Sequence, residues 1–238
     1  MIQLTFVDKR YPTSNALLYT SDLKIRKGEI VGILGDNGSG KTTLLKSIMG
    51  IGELKKGEVA IDGKPAAEQY ERMAFISEEG TFPPQATPLQ YARFLTDFFP
   101  GFDLEYYNRL LALYELPTGR RIGTFSKGQK MKLEMSAGLA KRADYLLMDE
   151  PFIGNDIFAR RESLRVMMSE LTGGETLLIT THLIEEIENV IDRAIILHKG
   201  LILADHYMDD LREAGKSLTD AMQEARSSRP RRDRTTIR

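Results

Sequence analysis

The 238-residue sequence contains no cysteine. That absence removes disulfides and Cys-ligated metal centres, and it fits a reducing compartment such as the cytoplasm. Long apolar runs are missing too. No stretch approaches the roughly 18 uninterrupted apolar residues of a membrane span, so any membrane role is expected to be borrowed from a partner. The first residues, Met1-Ile-Gln-Leu-Thr-Phe-Val7, alternate like a strand and lack the basic and apolar regions of a signal peptide. Charge of one sign is lacking as well: the formal net charge is -1, which gives no reason to expect nucleic acid as a direct partner. No repeat of solenoid length is visible.

What is present is the balance of an ordinary globular protein, with 42% hydrophobic and 28% charged residues. The length suits a single domain, read here as residues 1–225, with room for a small inserted lobe. Ile30-Val-Gly-Ile-Leu34, Asp144-Tyr-Leu-Leu-Met-Asp149 and Glu175-Thr-Leu-Leu-Ile-Thr180 are near-continuous apolar segments, the pattern of parallel strands covered on both faces. Longer stretches of helical period alternate with them, so an α/β core with a mostly parallel sheet is expected. Glu58-Val-Ala-Ile61 followed by Asp62-Gly63 reads as a strand entering a tight hairpin, which places antiparallel structure near the start. From about residue 87 to 141 the period is helical throughout. Asp103 is a candidate N-cap there, with Leu104, Tyr107, Leu110, Leu111 and Tyr114 on one apolar face. Residues 226–238 hold six arginines against one aspartate and break all periodicity, which reads as a solvated or disordered basic tail, with contact to anionic lipid as the sharper alternative. The preceding 225 residues are mildly acidic, with 27 Lys and Arg against 33 Asp and Glu.

Chemistry concentrates at strand ends. Gly35-Asp-Asn-Gly-Ser-Gly-Lys-Thr-Thr43 satisfies G-x-x-x-x-G-K-[ST] and lies between an apolar strand and a helical stretch, where that pattern has a mechanism. Gly35, Gly38 and Gly40 let the backbone of Asn37, Ser39 and their neighbours turn its amides inward, and the following helix adds its positive end. Lys41 is placed to reach the β- and γ-phosphates, Thr43 continues the cradle, and the Thr42 hydroxyl suits Mg²⁺. Guanine specificity usually brings an Asn-Lys-x-Asp loop, and the sequence has none. A second acidic element ends the central run at Asp149-Glu150-Pro151. Asp149 at the carboxyl edge of the sheet suits Mg²⁺, and Glu150 could orient and deprotonate an attacking water.

Ser126-Lys-Gly128-Gln129, opening a helical stretch, joins these elements into a set that resembles the ATP-binding-cassette (ABC) ATPases over about 190 residues, Tyr11 to Gly200. The resemblance implies a P-loop NTPase core with an N-terminal antiparallel β portion and an inserted helical subdomain. It implies that Ser126, Gly128 and Gln129 bind the γ-phosphate held by an opposite subunit, as a hydroxyl, a small residue and a helix start could. Tyr11 matches the aromatic that stacks on adenine. Glu78 stands where the family commonly has a glutamine touching Mg²⁺, with Glu79 a competing choice. Asp156 resembles the loop that crosses to the partner, although Asn155 replaces the usual leucine, and His182 resembles the histidine that contacts the γ-phosphate.

The function so implied is ATP hydrolysis with ATP and Mg²⁺ as cofactors, in a homodimer or a heterodimer with another such ATPase. Separate integral-membrane subunits would dock near Glu78 and the helical lobe, holding the chain on the inner face of the cell membrane. Soft likenesses in Ser126–Gln129, Glu78 and Phe98-Phe-Pro-Gly-Phe-Asp103 point toward exporters of peptides or antibiotics. The competing expectation is a soluble ABC ATPase acting on ribosomes or nucleic acid. Only 47 residues separate Glu78 from Ser126, without the sustained heptads of a DNA-repair coiled coil, and one cassette is present where translation factors normally fuse two.

Overall fold

Five apolar strands lie side by side and parallel in the computed structural model, which describes residues 1–10, 17–77, 80–151 and 157–227. They are β3 (Ile30–Leu34), β6 (Met73–Ser77), β7 (Tyr145–Asp149), β8 (Thr176–Thr181) and β9 (Arg193–His198). Around them run β1 (Ile2–Arg10), β2 (Leu17–Ile25), β4 (Lys56–Ile61), β5 (Lys64–Pro65) and β10 (Leu201–Tyr207). Among the described residues these ten strands make one sheet in the order β5-β4-β1-β2-β10-β9-β3-β8-β7-β6. The helices are α1 (Lys41–Ile48), α2 (Pro88–Phe98), α3 (Leu104–Leu113), α4 (Lys127–Ala140), α5 (Ile157–Glu170), α6 (Ile184–Ile187), α7 (Met208–Glu213) and α8 (Leu218–Ser227).

The near-continuous apolar runs are explained by burial on both faces. Successive strand residues point to opposite sides. Along β7, Leu146 and Met148 join the cluster shared with α2, α3 and α4, whereas Tyr145 and Leu147 join the cluster beneath α1. Each fully buried Leu or Met contributes about 1.5–3 kcal/mol relative to exposure. A third cluster, with Ile187, Ile191, Met208, Leu211 and Leu218, seats α7 and α8. The N-terminal strands are antiparallel, Ile2 standing opposite both Ile25 and Ile61. Asp62 and Gly63 turn β4 into β5 with φ of 50° and 78°, the left-handed pair that a two-residue hairpin demands.

Three helices fill the 87–141 segment, each started by a side-chain cap. Thr87 and Gln90 cap each other at α2, with Pro88 in the first turn. The Asp103 carboxylate accepts the Tyr106 amide at 2.8 Å. That bond, followed by the Arg142 guanidinium, holds its carboxyl below the usual aspartate value. On α3 the buried stripe is Tyr106, Tyr107, Leu110, Leu111 and Tyr114. Leu104, expected on that face, is 43% exposed: it is the first residue of the helix, and Tyr106 takes the buried place beside Tyr107. Gly138 lets α4 approach β6 closely, since a Cβ there would collide with the Ile76 side chain.

At the other end of the chain, α8 continues through Arg226 to Ser227, so the first two residues read as tail are helical. Residues 228–238 lie outside the described residues. No helix among the described residues is long and apolar enough to cross a membrane.

Candidate active site

The register of the parallel strands aligns their carboxyl ends. Leu34 pairs with Thr181, Asp149 with Thr180, and Ser77 with Asp149. The glycine loop after β3, Glu150 after β7 and His182 after β8 therefore leave the sheet along one edge, where ligands of open α/β sheets bind. Ser77 delivers the chain to the same edge, but Glu78 and the competing Glu79 lie outside the described residues.

The loop from Gly35 to Gly40 is shaped by contacts that exclude side chains. A Cβ at Gly35 would run into the Leu197 carbonyl oxygen and the Ser39 side chain. Gly38 and Gly40 have φ of 77° and 110°, a left-handed region that costs other residues about 1–2 kcal/mol. The Ser39 amide donates to the Asp36 carbonyl at 3.0 Å, and the Gly200 amide donates to the Ser39 carbonyl at 2.7 Å, pinning the loop to the β9–β10 turn. No acid occupies the first turn of α1, so the helix brings no negative charge of its own to its positive end. Asn37, Gly38, Ser39, Gly40, Lys41, Thr42 and Thr43 line a cavity of about 230 Å³ together with Glu150. The Ser39 hydroxyl is buried in this loop without a hydrogen-bond partner. An orphan donor in such a cradle suits an anionic oxygen.

Lys41 is only 6% exposed. Its ammonium donates to the Gly35 carbonyl at 2.8 Å and lies 2.9 Å from one carboxylate oxygen of Glu150. The other Glu150 oxygen is 3.1 Å from His182 Nδ1. Glu150 itself has φ of 49°, a left-handed conformation that costs a non-glycine residue about 1–3 kcal/mol and persists only when its surroundings enforce it. Here Thr180 enforces it. The Glu150 amide donates to the Thr180 carbonyl at 3.2 Å and to the Thr180 hydroxyl at 3.0 Å, and that hydroxyl donates to Asp149 Oδ1 at 2.7 Å. Thr180 is fully buried and sets the direction of both acids. Sequence reasoning passed over it, because a hydroxyl at the end of an apolar strand gives no signal until its register against Asp149 is known.

The donor set fits Mg²⁺ as well. Thr42 lines the cavity and Asp149 stands at the adjoining strand end. Among the described residues no group of three or more acids or imidazoles is arranged to hold a metal ion by itself. Mg²⁺ bound with a substrate needs only one or two protein oxygens, the remainder coming from phosphate and water.

The structure thus brings together Asn37 through Thr43, Asp149, Glu150 and His182. It does not bring Ser126, Gly128 or Gln129 into the cavity wall. Ser126 starts α4 from an exposed position, its hydroxyl accepting the Gln129 amide at 3.2 Å while Gln129 Oε1 accepts the Ser126 amide at 3.0 Å. Tyr11, Asn155 and Asp156 lie outside the described residues. One neighbour was not foreseen: Arg226 on α8 pairs with Asp36 of the glycine loop at 2.7 Å. Both groups are solvent-exposed, so the pair contributes under about 1 kcal/mol.

A family model described as ABC transporter matches residues 18–153, over half of the chain. The chain belongs to the ABC transporter family of ATPases. This ABC ATPase is 33% identical over 217 residues to the ABC transporter ATP-binding protein YtrB of Bacillus subtilis (strain 168), covering 90% of this chain and 74% of that one. It is 26% identical over 220 residues to the SkfA peptide export ATP-binding protein SkfE of the same organism, covering 90% and 92%. A solved structure of the ATP binding subunit of an ABC transporter superposes with a TM-score of 0.80 at 26% identity, covering 95% of this ABC ATPase and 99% of that chain.

Proposed function

We propose that this ABC ATPase binds Mg²⁺-ATP in the 35–43 loop, hydrolyses it with Glu150 as general base, and works in pairs to power export through separate membrane-spanning subunits. The observation that carries the catalytic reading is the Lys41–Glu150–His182 cluster at the wall of the glycine-loop cavity. The β- and γ-phosphates would replace the Glu150 carboxylate as the partner of Lys41. Glu150, still aimed by Thr180, is then free to accept a proton from water, and His182 keeps its ring beside both the base and the transferred phosphate. When bound, Mg²⁺ supplies charge neutralisation across the phosphate oxygens, and Thr42, Asp149 and Glu78 are the residues that would hold it. The adenine is assigned to Tyr11.

The pairing follows from what the cavity lacks. Among the described residues only 37–43 and Glu150 line it, whereas the exposed Ser126 end of α4 offers a hydroxyl, the small Gly128 and a helix N-terminus to an anion. A second ABC ATPase, identical or different, placed head to tail would bring its Ser126, Gly128, Gln129 and Asp156 to the open side. Hydrolysis would part the two. Export of a peptide, antibiotic or drug-like molecule is supported by similarity to the peptide-export protein SkfE. The membrane passage would belong to partner subunits, with this chain peripheral on the cytoplasmic face.

Detergent extraction of salt-washed membranes containing the tagged chain tests this reading. Recovery of a stoichiometric complex with a polytopic membrane protein, whose vesicles gain an ATP-driven transport that Glu150→Gln abolishes, supports it. Recovery with ribosomes in place of membranes contradicts it and favours a soluble assembly.

A further inference from the structure

The ABC ATPase buries one acid that the catalytic reading does not use. Glu134 lies on α4, eight residues beyond Ser126 and hence about 12 Å further along the helix axis. It is 2% exposed, within the lobe cluster of Tyr91, Met131, Leu133 and Met135. A buried carboxylate costs several kcal/mol unless hydrogen bonds and opposite charge offset the loss of water. Its main-chain partners come from one short stretch. Glu134 Oε1 accepts the Thr81 amide at 2.7 Å, the Phe82 amide also donates to the carboxylate, and the Thr81 hydroxyl stands 3.4 Å from both oxygens. The Thr81 hydroxyl is itself held by the Tyr91 hydroxyl at 2.7 Å; burial pushes the Glu134 carboxyl above its ordinary value, and the amides and the positive charge of Lys141 only partly oppose that. Phe82 meets Tyr91 edge-on with centroids 6.3 Å apart.

The shortest bond to this acid therefore ends on the Thr81 amide, with Phe82 and the Tyr91 hydroxyl of α2 beside it, just past Glu78. A cluster that only filled space would be cheaper with an apolar side chain at 134, since Ala92, Leu95 and Met135 already form a continuous core there. The carboxylate does what an apolar group could not: it fixes the path of a main chain that belongs to no helix or strand. We propose that Glu134 is a positioning residue for ATP turnover, clamping the backbone at Thr81 and Phe82 to the helix that Ser126 opens. The loop that leaves β6 at Glu78 and the Ser126 end of α4 then move as one body. Within one chain the lobe thereby links two nucleotides, the ATP beside its own Glu78 and the second ATP, carried by the partner's glycine loop, that meets its Ser126. This rests on the reading of Glu78 and Ser126 given above.

The test uses the full-length chain with Glu134→Ala and Glu134→Gln, measured beside Glu78→Ala. In Glu134→Ala, kcat should fall by at least about tenfold while KM for ATP stays within about threefold. Amide hydrogen exchange in peptides covering 80–91 should speed by at least about tenfold, with peptides covering 30–48 unchanged. Glu134→Gln keeps one carbonyl acceptor and should recover part of both effects. It also serves where the alanine variant does not fold. Unchanged kcat with a loosened 80–91 segment overturns the proposal, as does equal loosening of the 30–48 segment with a matching rise in KM, which marks general destabilisation. If Glu78→Ala turns over normally while the Glu134 variants are slow and loose, the reading of Glu78 fails and the clamp stands.

Discussion

Replacing Glu150 by glutamine should separate binding from turnover in this ABC ATPase. The substitution keeps shape, the left-handed backbone and both Thr180 bonds to the amide, and removes only the negative charge and the proton-accepting oxygen. A positioned general base contributes about 10²–10⁴-fold to rate, or about 3–5 kcal/mol of barrier, and kcat should fall by that factor. Affinity should move the other way. In the free enzyme the carboxylate sits 2.9 Å from a Lys41 ammonium that is 6% exposed, a close ion pair largely withdrawn from water. ATP must displace that partner. With a neutral amide in its place the competition weakens, and ATP should bind as tightly as before or up to about tenfold more tightly. The nucleotide-free variant should be less stable than the parent, because Lys41 keeps its charge in a buried setting without a counter-ion, and ATP should restore the difference. The assay is phosphate release in single turnover, with titration of a fluorescent ATP analogue on the same preparation. Turnover within about threefold of the parent would remove Glu150 as the base.

Three further outcomes follow from the same geometry. Lys41→Ala should weaken ATP binding by about 10–100-fold in calorimetric titration through lost charge-assisted contacts. Thr180→Val preserves volume and the strand but loses the hydroxyl that bridges Asp149 and the Glu150 amide; kcat should drop by about tenfold while ATP affinity changes little. Asp103→Ala should cost about 1 kcal/mol in urea unfolding at neutral pH by uncapping α3. The folded-state pKa of Asp103 lies below its ordinary 3.8, so its contribution is present above that value and fades as the pH falls through the folded pKa. Parent and variant should therefore draw together in acid, and a gap that widened there would contradict this assignment.

Much of this arrangement was legible because each signal had a local cause. Apolar runs ending at Leu34, Asp149 and Thr180 marked the buried strands, and the glycines from 35 to 40 marked a turn that side chains would block. Asp103 announced a helix start by chemistry that acts within one turn. Features that depend on register or on distant packing were not legible. Thr180 acquires its role only once β7 and β8 pair with Asp149 opposite it. Glu134 reads as an ordinary helical acid until tertiary folding encloses it and presents the amides of residues 81 and 82. The exposure of Leu104 and the burial of Tyr106 depend on how the lobe packs, which periodicity alone does not fix. Arg226 reads as part of a basic tail because its partner, Asp36, lies far away in sequence. Tyr11, Glu78 and Asp156 remain assignments carried by family resemblance.

The central claim is that one ATP joins two chains, held by the glycine loop of one and the Ser126 end of the other. Sedimentation of Glu150→Gln with and without Mg²⁺-ATP tests it directly, with Ser126→Arg in the same background as the control. A shift from the 26.9 kDa monomer to twice that mass on adding ATP, abolished by Ser126→Arg while ATP still binds, is the expected result. A chain that binds ATP yet stays monomeric at every concentration, or one that pairs equally well with arginine at 126, would contradict the account.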